Sequence, residues 1–412
     1  MVLSKLNHSA TILFLTSIMT FPRSFVELKL VFLVLFILTY FLSSRKFRIF
    51  HEILFFYTII AILGIVWSLV GYFNGGDPKG ISDSFRLWFF WSIAYFIIFT
   101  LLRNEESLKT INVSVALSGI LIFLINILGL LNYTNNLGIL NPKIIKALWM
   151  NFGIHKGYIQ ITSHNIGSLF FIIPYLVSVY FRRDKYDLNP GLLNLSLLCT
   201  LILGALSGRR ALWIVIIISP ILISMLSYLT RSTHLLTKNS KKFIMLLLIS
   251  VIIFFIGFYY LFQNGILGYS TIVHLKTAFS DSDPRSIQSG YLFEGFLKYP
   301  LFGSGFGMST PYIRSGSSPW SYEMTYNQLL FNFGIIGLLI IFLLFLFFLY
   351  FVILLIRRNR TESIIAFSIL VGFFSFAIGA YSNPYFGSFD FLLIIGMIPF
   401  LATFKDGYKI SN

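Results

Sequence analysis

Charged residues are scarce in this 412-residue sequence. Only 11% of its residues are Asp, Glu, Lys or Arg, whereas 57% are hydrophobic and the mean hydropathy is +0.84. A water-soluble domain carries about a quarter charged residues, so the composition excludes a soluble enzyme, a disordered chain and a fibrous protein. Long Ile, Leu and Phe runs, without strand-length segments of alternating polarity, predict an all-α, polytopic integral membrane protein.

Cysteine and nucleotide-binding motifs are also missing. The one cysteine, Cys199, lies in an apolar run, which excludes an intrachain disulfide and a cysteine-based metal site. Without a Walker A motif or an Asp-X-Asp pair, an ATP-driven pump and a nucleotide-sugar transferase are disfavoured. The outer histidines, His155, His164 and His274, lack metal-ligand spacing. We expect no metal, no cofactor and no nucleic acid partner.

Apolar runs of ~20 residues predict about twelve transmembrane helices. They lie at roughly 6–22, 27–43, 50–73, 84–102, 110–132, 165–181, 190–207, 209–229, 243–263, 327–355, 364–382 and 387–404. The first two runs also allow one re-entrant unit around Pro22. Residues 1–412 then form a single transmembrane domain with two long outer segments, at about 134–164 and 264–326. Segments of this length in a compact protein usually carry function.

The basic residues predict the orientation of the chain. Clusters such as Arg45, Lys46 and Arg48 fall on one side, which places both termini in the cytoplasm. Thirteen of the 31 Lys and Arg residues instead lie at the outer face: Arg23, Lys29, Lys79, Arg86, Lys143, Lys146, Lys156, Arg209, Arg210, Lys276, Arg285, Lys298 and Arg314. Lys and Arg are usually depleted on the outer side, but outer loops longer than ~60 residues escape this bias, which is one explanation of the excess. The alternative explanation is an anionic ligand at the outer face.

The Ser-Gly-Arg-Arg sequence at 207–210 places two guanidiniums at a membrane boundary without an acidic residue nearby in the sequence. A charge in that position costs about 3 kcal/mol unless it is paired or reaches water. Because arginine suits bidentate phosphate binding, we expect Arg209 and Arg210 to bind an external anion. The alternative is that both side chains reach the lipid headgroups as topological anchors.

The second outer segment contains a predicted amphipathic helix at 286–299, directly after Arg285. Arg285 can point into a cavity, or it can pair with Asp281 or Asp283. The Gly-rich run at 303–307 lacks the strand-to-helix context of a dinucleotide-binding loop, so we interpret it as a turn.

Polar residues mark the point where this segment returns to the membrane. Glu323, Tyr326 and Asn327 are placed there to hydrogen-bond a sugar or, for Glu323, to act as a base. Gly334 and Gly337, about two helical turns or more after Asn327, predict a close contact between helices.

Three motifs in this order resemble the O-antigen ligase and O-antigen polymerase (Wzy) superfamily. They are Ser-Gly-Arg-Arg-Ala-Leu-Trp at 207–213, Arg285 followed by Pro-Leu-Phe-Gly-Ser-Gly-Phe-Gly at 300–307, and Tyr-Asn-Gln-Leu-Leu-Phe-Asn-Phe-Gly-Ile-Ile-Gly at 326–337. His164-Asn165 is similar to an earlier family pattern. The resemblance covers roughly residues 160–340.

The resemblance implies metal-independent glycosyl transfer at the periplasmic face of the bacterial inner membrane. The implied donor is a glycan on undecaprenyl diphosphate, bound by family arginines that correspond to Arg210, or its neighbour Arg209, and to Arg285. Membrane lipids and a chain-length regulator are the further implied partners. The ligases carry a histidine where this chain has Tyr326, which favours a polymerase; an O-antigen ligase, with His274 or His155 in the missing role, is the alternative.

The family resemblance implies roles for particular residues. Arginines stabilise the charge that develops on the leaving phosphate, and a carboxylate accepts the acceptor's proton. The candidates are Arg210, Arg285 and Glu323 for catalysis, Arg209, Arg210, Arg285 and Arg314 for the diphosphate, and Tyr291, Trp320, Tyr326 and Asn327 for the sugar. Glu294 is a second candidate base, unless it pairs with Lys298. Several of the aromatic residues would serve equally as membrane-interface anchors.

Two other classes of function remain as alternatives. A transporter or flippase for lipid-linked glycans would place charged residues along a path through the bundle, whereas the polar residues here concentrate outside it. A purely structural membrane partner would leave both long outer segments without a purpose.

Overall fold

The chain folds almost entirely into helices. The computed structural model describes residues 2–43, 49–102, 105–135, 138–155, 158–182, 188–232, 284–358, 361–381 and 383–404. Its α-helices are α1 (Val2–Thr20), α2 (Val26–Leu42), α3 (His51–Phe73), α4 (Pro78–Phe85), α5 (Trp91–Leu101), α6 (Glu105–Asn135), α7 (Pro142–Ala147), α8 (Leu169–Tyr180), α9 (Pro190–Leu206), α10 (Arg210–Leu229), α11 (Pro284–Lys298), α12 (Thr325–Arg357), α13 (Thr361–Ala380) and α14 (Phe389–Ala402).

Shorter elements connect these helices. A π-helical turn, Arg86–Phe90, joins α4 to α5, and 3-10 turns at His164–Ser168 and Tyr385–Gly387 lie ahead of α8 and α14. Two strands, β1 (Asn151–His155) and β2 (Tyr158–Thr162), form an antiparallel hairpin with Asn151 opposite Thr162. This hairpin, which the sequence did not predict, is the exception to the helical fold among the described residues.

Several helices are suited to a membrane. Within the described ranges, six runs are long and apolar enough to cross one: His51–Phe73, Pro78–Leu101, Leu108–Thr134, Ala211–Leu229, Thr325–Arg357 and Glu362–Ala380. The apolar helices His164–Tyr180, Pro190–Leu206 and Asp390–Ala402 are shorter. The protein is therefore helical and membrane-embedded. Predicted helix 243–263 lies outside the described residues, and α1 and α2 are two helices joined by the short connection at 21–25.

Asparagine or aspartate followed by proline begins three of the helices. The Asp77 carboxylate accepts the backbone N–H groups of Lys79 and Gly80 at the start of α4. Asn141 and Asn189 cap α7 and α9 in the same way, each directly before a proline. These side chains satisfy donors that have no partner within the helix, and proline needs none there.

Helix α8 occupies the centre of the bundle. Every residue from 169 to 179 except Val177 is buried, and the helix packs against α6, α9, α10 and α13. A helix that is apolar on all sides gains most from a fully surrounded position. The principal core therefore forms around α8.

One end of the bundle gathers the connections that follow α1, α3, α6, α9, α11 and α13, and we name it the site end. Ser24, after α1, donates its hydroxyl to the Ala147 carbonyl of α7. Asn74, after α3, donates its amide to the Ser304 carbonyl. Such bonds hold these connections, which are far apart in the sequence, beside one another.

Helix α12 is interrupted at Gly334, whose φ of 60° and ψ of −167° are not helical. Close to the break, Ser304 and Gly305 donate to the carbonyls of Phe331 and Asn332, and Ile335 and Ile336 donate to those of Pro300 and Leu301. The break deprives backbone groups of α12 of their helical hydrogen bonds. The 300–305 segment supplies new partners for them, which a membrane-spanning helix requires.

Three glycines give this segment its shape. Gly303, Gly305 and Gly307 have φ of +70°, +80° and +78°, which confirms the predicted turn. The prediction for Gly334 was wrong, because it contacts this turn and not another helix. Gly337 does allow a close helix contact, with Trp67 of α3.

We predict that Gly334→Ala destabilises the fold. Its backbone conformation is almost restricted to glycine and costs other residues about 1–3 kcal/mol. A Cβ at this position would also overlap the backbone nitrogen of Gly303. Thermal unfolding in detergent should show a clearly lower Tm.

Gly290→Ala is the matched control. Gly290 lies in α11, where an added Cβ meets nothing within 4 Å. Alanine is the better helix former by about 1 kcal/mol, so its Tm should stay level or rise. Equal Tm values for Gly334→Ala and wild type would contradict the role of the break.

Candidate functional site

Two arginines share one carboxylate in the connection between α11 and α12. Nε of Arg285 lies 3.1 Å from Oε2 of Glu323, and Nη2 of Arg314 lies 2.7 Å from Oε1. The two arginine side chains are 49% and 38% exposed, so an incoming anion can reach both. Three of the predicted site residues are therefore brought together. We name them the loop group.

Buried polar contacts hold the loop group in place. Oε1 of Gln288, a buried residue of α11, accepts the backbone N–H groups of Glu323 and Met324 at 2.8 and 2.9 Å. Asn327 donates its amide to the Ser289 hydroxyl, which ties α12 to α11. The carboxylate of Glu323 is thus held beside the first turn of α11, which contains Arg285.

A second group of contacts surrounds three consecutive residues between α13 and α14. The Asn383 carbonyl accepts the Thr325 hydroxyl at 2.6 Å, and the Pro384 carbonyl accepts Nη2 of Arg23 at 2.6 Å. The Tyr385 hydroxyl accepts Nη1 of Arg209 at 2.9 Å. We name residues 383–385 the hub segment, because it contacts α12 and both arginines.

A buried ion pair fixes the backbone beside Arg23. Lys29 of α2 lies 2.6 Å from Oδ1 of Asp390 in α14, with side-chain exposures of 5% and 1%. The other carboxylate oxygen, Oδ2, accepts the backbone N–H of Arg23 at 2.7 Å. A charge buried this deeply requires such a partner, so the pair joins the α1–α2 turn to α14.

Arg23 connects the two groups electrostatically. Burial lowers the pKa of its guanidinium, and the positive charges of Arg314 and Arg209 lower it further, against the opposing effects of Tyr385 and Asp390. Arg314 of the loop group and Arg209 beside the hub segment therefore both lie near Arg23. Three guanidiniums concentrated in this way favour a bound anion.

His164 lies in the 3-10 turn ahead of α8, close to the same arginines. Burial lowers its pKa to about 4, with further contributions from Arg23 and Arg209. Its ring stacks on exposed Trp149, with centroids 5.5 Å apart and planes 18° from parallel. His164 is therefore neutral at pH 7 and adds no positive charge to the cluster.

A buried amide network supports the position of Arg209. Nη2 of Arg209 donates to the Ser163 carbonyl at 3.3 Å, and the Ser163 hydroxyl contacts the side-chain oxygens of Asn126 and Asn165. Asn126 also donates to Asn165 at 3.0 Å, and all three residues are buried. The polar network thus fixes the carbonyl that orients Arg209.

An apolar cavity of about 710 Å³ begins beside these groups. It is lined almost wholly by aromatic and aliphatic side chains of α3, the Arg86–Phe90 turn, α12, α13 and α14, from Tyr326 and Phe386 at the site end to Leu349 further along α12. Tyr326 follows Glu323 by three residues and Phe386 follows the hub segment directly. Two residues that line the cavity are therefore close in the chain to the loop group and the hub segment.

The predicted sugar-binding residues have different environments. Tyr291 stacks on Tyr312 at 6.5 Å near the loop group. The Trp320 ring packs against Gly80, and Asn327 is engaged by Ser289. Tyr326 lines the cavity and donates its hydroxyl to the Ala377 carbonyl at 2.6 Å. Of these, Tyr291 and Tyr326 have exposed side chains.

Some site residues were missed by the sequence reasoning. Tyr385 carried no signal in the sequence, whereas Asp390 is the single acidic residue of the predicted run 387–404. Arg23 and Lys29 appeared among the outer cations, and the sequence analysis assigned them no individual role. A buried acid requires a cation, which would have favoured Lys29 as its partner. The backbone of Arg210 begins α10, but its side chain lies outside the described part of the structure.

Comparison with protein-family models, curated proteins and solved structures gives no match for this chain.

We predict that His164→Gln weakens the pH dependence of stability. The folded pKa of about 4 lies below the ordinary 6.5, so between these values the unfolded chain binds the additional proton. Acidification from about pH 7.5 to about pH 5 therefore lowers the free energy of unfolding of the wild type. Glutamine cannot bind that proton, so the variant's Tm should fall less. Equal decreases in Tm would show that His164 titrates normally.

Proposed function

We propose that this protein is an O-antigen polymerase of the Wzy type, which joins undecaprenyl-diphosphate-linked repeat units by metal-independent glycosyl transfer. The observation that carries this proposal is a set of arginines close to an apolar cavity. Arg209 bonds to Tyr385 and both Arg285 and Arg314 contact Glu323, while Phe386 and Tyr326, next to these contacts in the chain, line the cavity. A polyprenyl diphosphate has the matching form, with an anionic head joined to a long hydrocarbon chain.

The proposal includes a topology. About twelve helices cross the bacterial inner membrane, both termini are cytoplasmic, and the site end faces the periplasm. The antiparallel succession of helices, with long segments collected at the site end, supports this arrangement. So does the excess of cationic residues in those segments.

The reaction replaces one bond at an anomeric carbon. The hydroxyl oxygen of one lipid-linked repeat unit attacks C1 of the growing glycan, the C1–O bond to the diphosphate breaks, and undecaprenyl diphosphate leaves with the bonding electrons. The acceptor hydroxyl loses a proton to a base. Negative charge develops on the leaving phosphate, where guanidiniums of Arg209, Arg285 and Arg314 stabilise it.

Glu323 is the proposed base. Both of its oxygens contact guanidiniums before substrate binds, and exposed ion pairs of this kind hold only weakly. A diphosphate that takes over Arg285 and Arg314 releases the carboxylate beside the acceptor. The pairs thus keep Glu323 in place until the anion arrives.

We predict that deletion of the gene from its host collapses the O-antigen ladder on a gel to lipid A core with one repeat unit. The wild-type gene should restore the ladder. Arg285→Gln should not, since loss of one charge-stabilising donor costs about 10²–10³ in turnover. Lys298→Gln, which removes an exposed cation at the other end of α11, serves as the matched control and should restore the ladder.

Two results would contradict this proposal. Loss of every O-unit from the core, with lipid-linked polymer accumulating in the inner membrane, would identify a ligase. A full ladder with Arg285→Gln would remove this arginine from the mechanism.

We predict that Glu323→Gln abolishes polymerisation without weakening anion binding. Loss of a general base costs about 10²–10⁴ in rate, whereas loss of the carboxylate's charge removes a competitor of the diphosphate for Arg285 and Arg314. The ladder and the affinity for inorganic pyrophosphate measure the two effects. Glu294→Gln changes an exposed carboxylate of α11 and should retain the ladder. Normal polymer with Glu323→Gln would make Glu323 a counter-ion only.

A further inference from the structure

Arg23 lies between the loop group and the hub segment, although no sequence motif assigns it a role. Its guanidinium donates to the Pro384 carbonyl, and Arg209 and Arg314 are its charged neighbours. Its side chain is exposed even though the surrounding protein desolvates it. The guanidinium therefore lies in a recess of the protein that water can reach.

The backbone at Arg23 has a conformation that favours glycine. Its φ is +66°, in the left-handed region, and the N–H bond to Asp390 holds it there. Glycine adopts this conformation without a steric cost, whereas a residue with a Cβ does not. An arginine at this position indicates that the guanidinium is used.

Most N–H donors of the Arg23 guanidinium are not used by the protein. A guanidinium has five such donors, and within the described ranges that of Arg23 makes one hydrogen bond to the protein, to the Pro384 carbonyl. No carboxylate oxygen in those ranges lies within ion-pair distance of it. The nearby Asp390 is already engaged by Lys29 and by the backbone of Arg23. The positive charge of Arg23 and its other N–H donors can thus bind a ligand.

We propose that Arg23 is a further diphosphate-binding residue, whose guanidinium donates to phosphate oxygens between Arg209 and Arg314. The inference rests on the proposed function, since it adds a residue to the same anion site. The planar guanidinium can donate two parallel hydrogen bonds to a phosphate. Arg23 joins the two groups of arginines into one site of suitable charge for a diphosphate.

Pyrophosphate binding by the full-length protein in detergent tests this inference. The variants are Arg23→Gln, Arg23→Gly and, as a control, Lys143→Gln, which removes an exposed cation at the same end of the bundle. Both Arg23 variants should raise the Kd for inorganic pyrophosphate by about tenfold or more, and Lys143→Gln should leave it within about twofold. Arg23→Gly retains a suitable backbone, so its Tm should not fall.

The results separate two kinds of failure. If Arg209→Gln weakens pyrophosphate binding but both Arg23 variants bind as tightly as Lys143→Gln, the role of Arg23 is overturned and the proposed function stands. If the wild type binds no pyrophosphate, the proposed function and the role of Arg23 are overturned together.

Discussion

Mutual repulsion between arginines is the constraint to which the site end of this protein is adapted. Bringing Arg23, Arg209 and Arg314 together is unfavourable, and the chain has 31 basic residues against 15 acidic ones. The structure offsets the repulsion with fixed acceptors: the Pro384 carbonyl, the Tyr385 hydroxyl and the Glu323 carboxylate. His164, which is neutral at pH 7, lies near Arg23 and Arg209 and adds no further positive charge. The bundle thereby holds a positive cluster ready for an anion.

Much of the fold was predictable, because membrane helices depend on the length of an apolar run more than on its particular residues. Predicted runs such as 50–73 and 190–207 agree closely with α3 and α9. The hairpin of β1 and β2 was not predictable, since its strands are short and pair with each other outside the apolar runs. The break at Gly334 was also missed, because its backbone hydrogen bonds come from residues about thirty positions earlier.

The candidate site was predictable in its components but not in its arrangement. The excess of outer cations marked Arg285 and Arg314, and Glu323 was selected for its place at the membrane boundary. One carboxylate bridges both arginines because Gln288 and the turn of the connecting segment position it. No spacing rule in the sequence reveals this arrangement. Tyr385 was harder still to predict as a site residue, since a single aromatic residue in an aromatic-rich chain has no distinguishing pattern.

The hub segment has a mechanical consequence. Phe386 lines the apolar cavity, and the residue before it, Tyr385, is bonded to Arg209. Tyr385 is itself buried, and a Cβ added at Gly167 would lie 3.0 Å from its ring. A cavity-lining ring and an arginine contact are therefore separated by a single peptide unit. Under the proposed function, two adjacent residues would couple the position of the lipid tail to that of the arginine at its head.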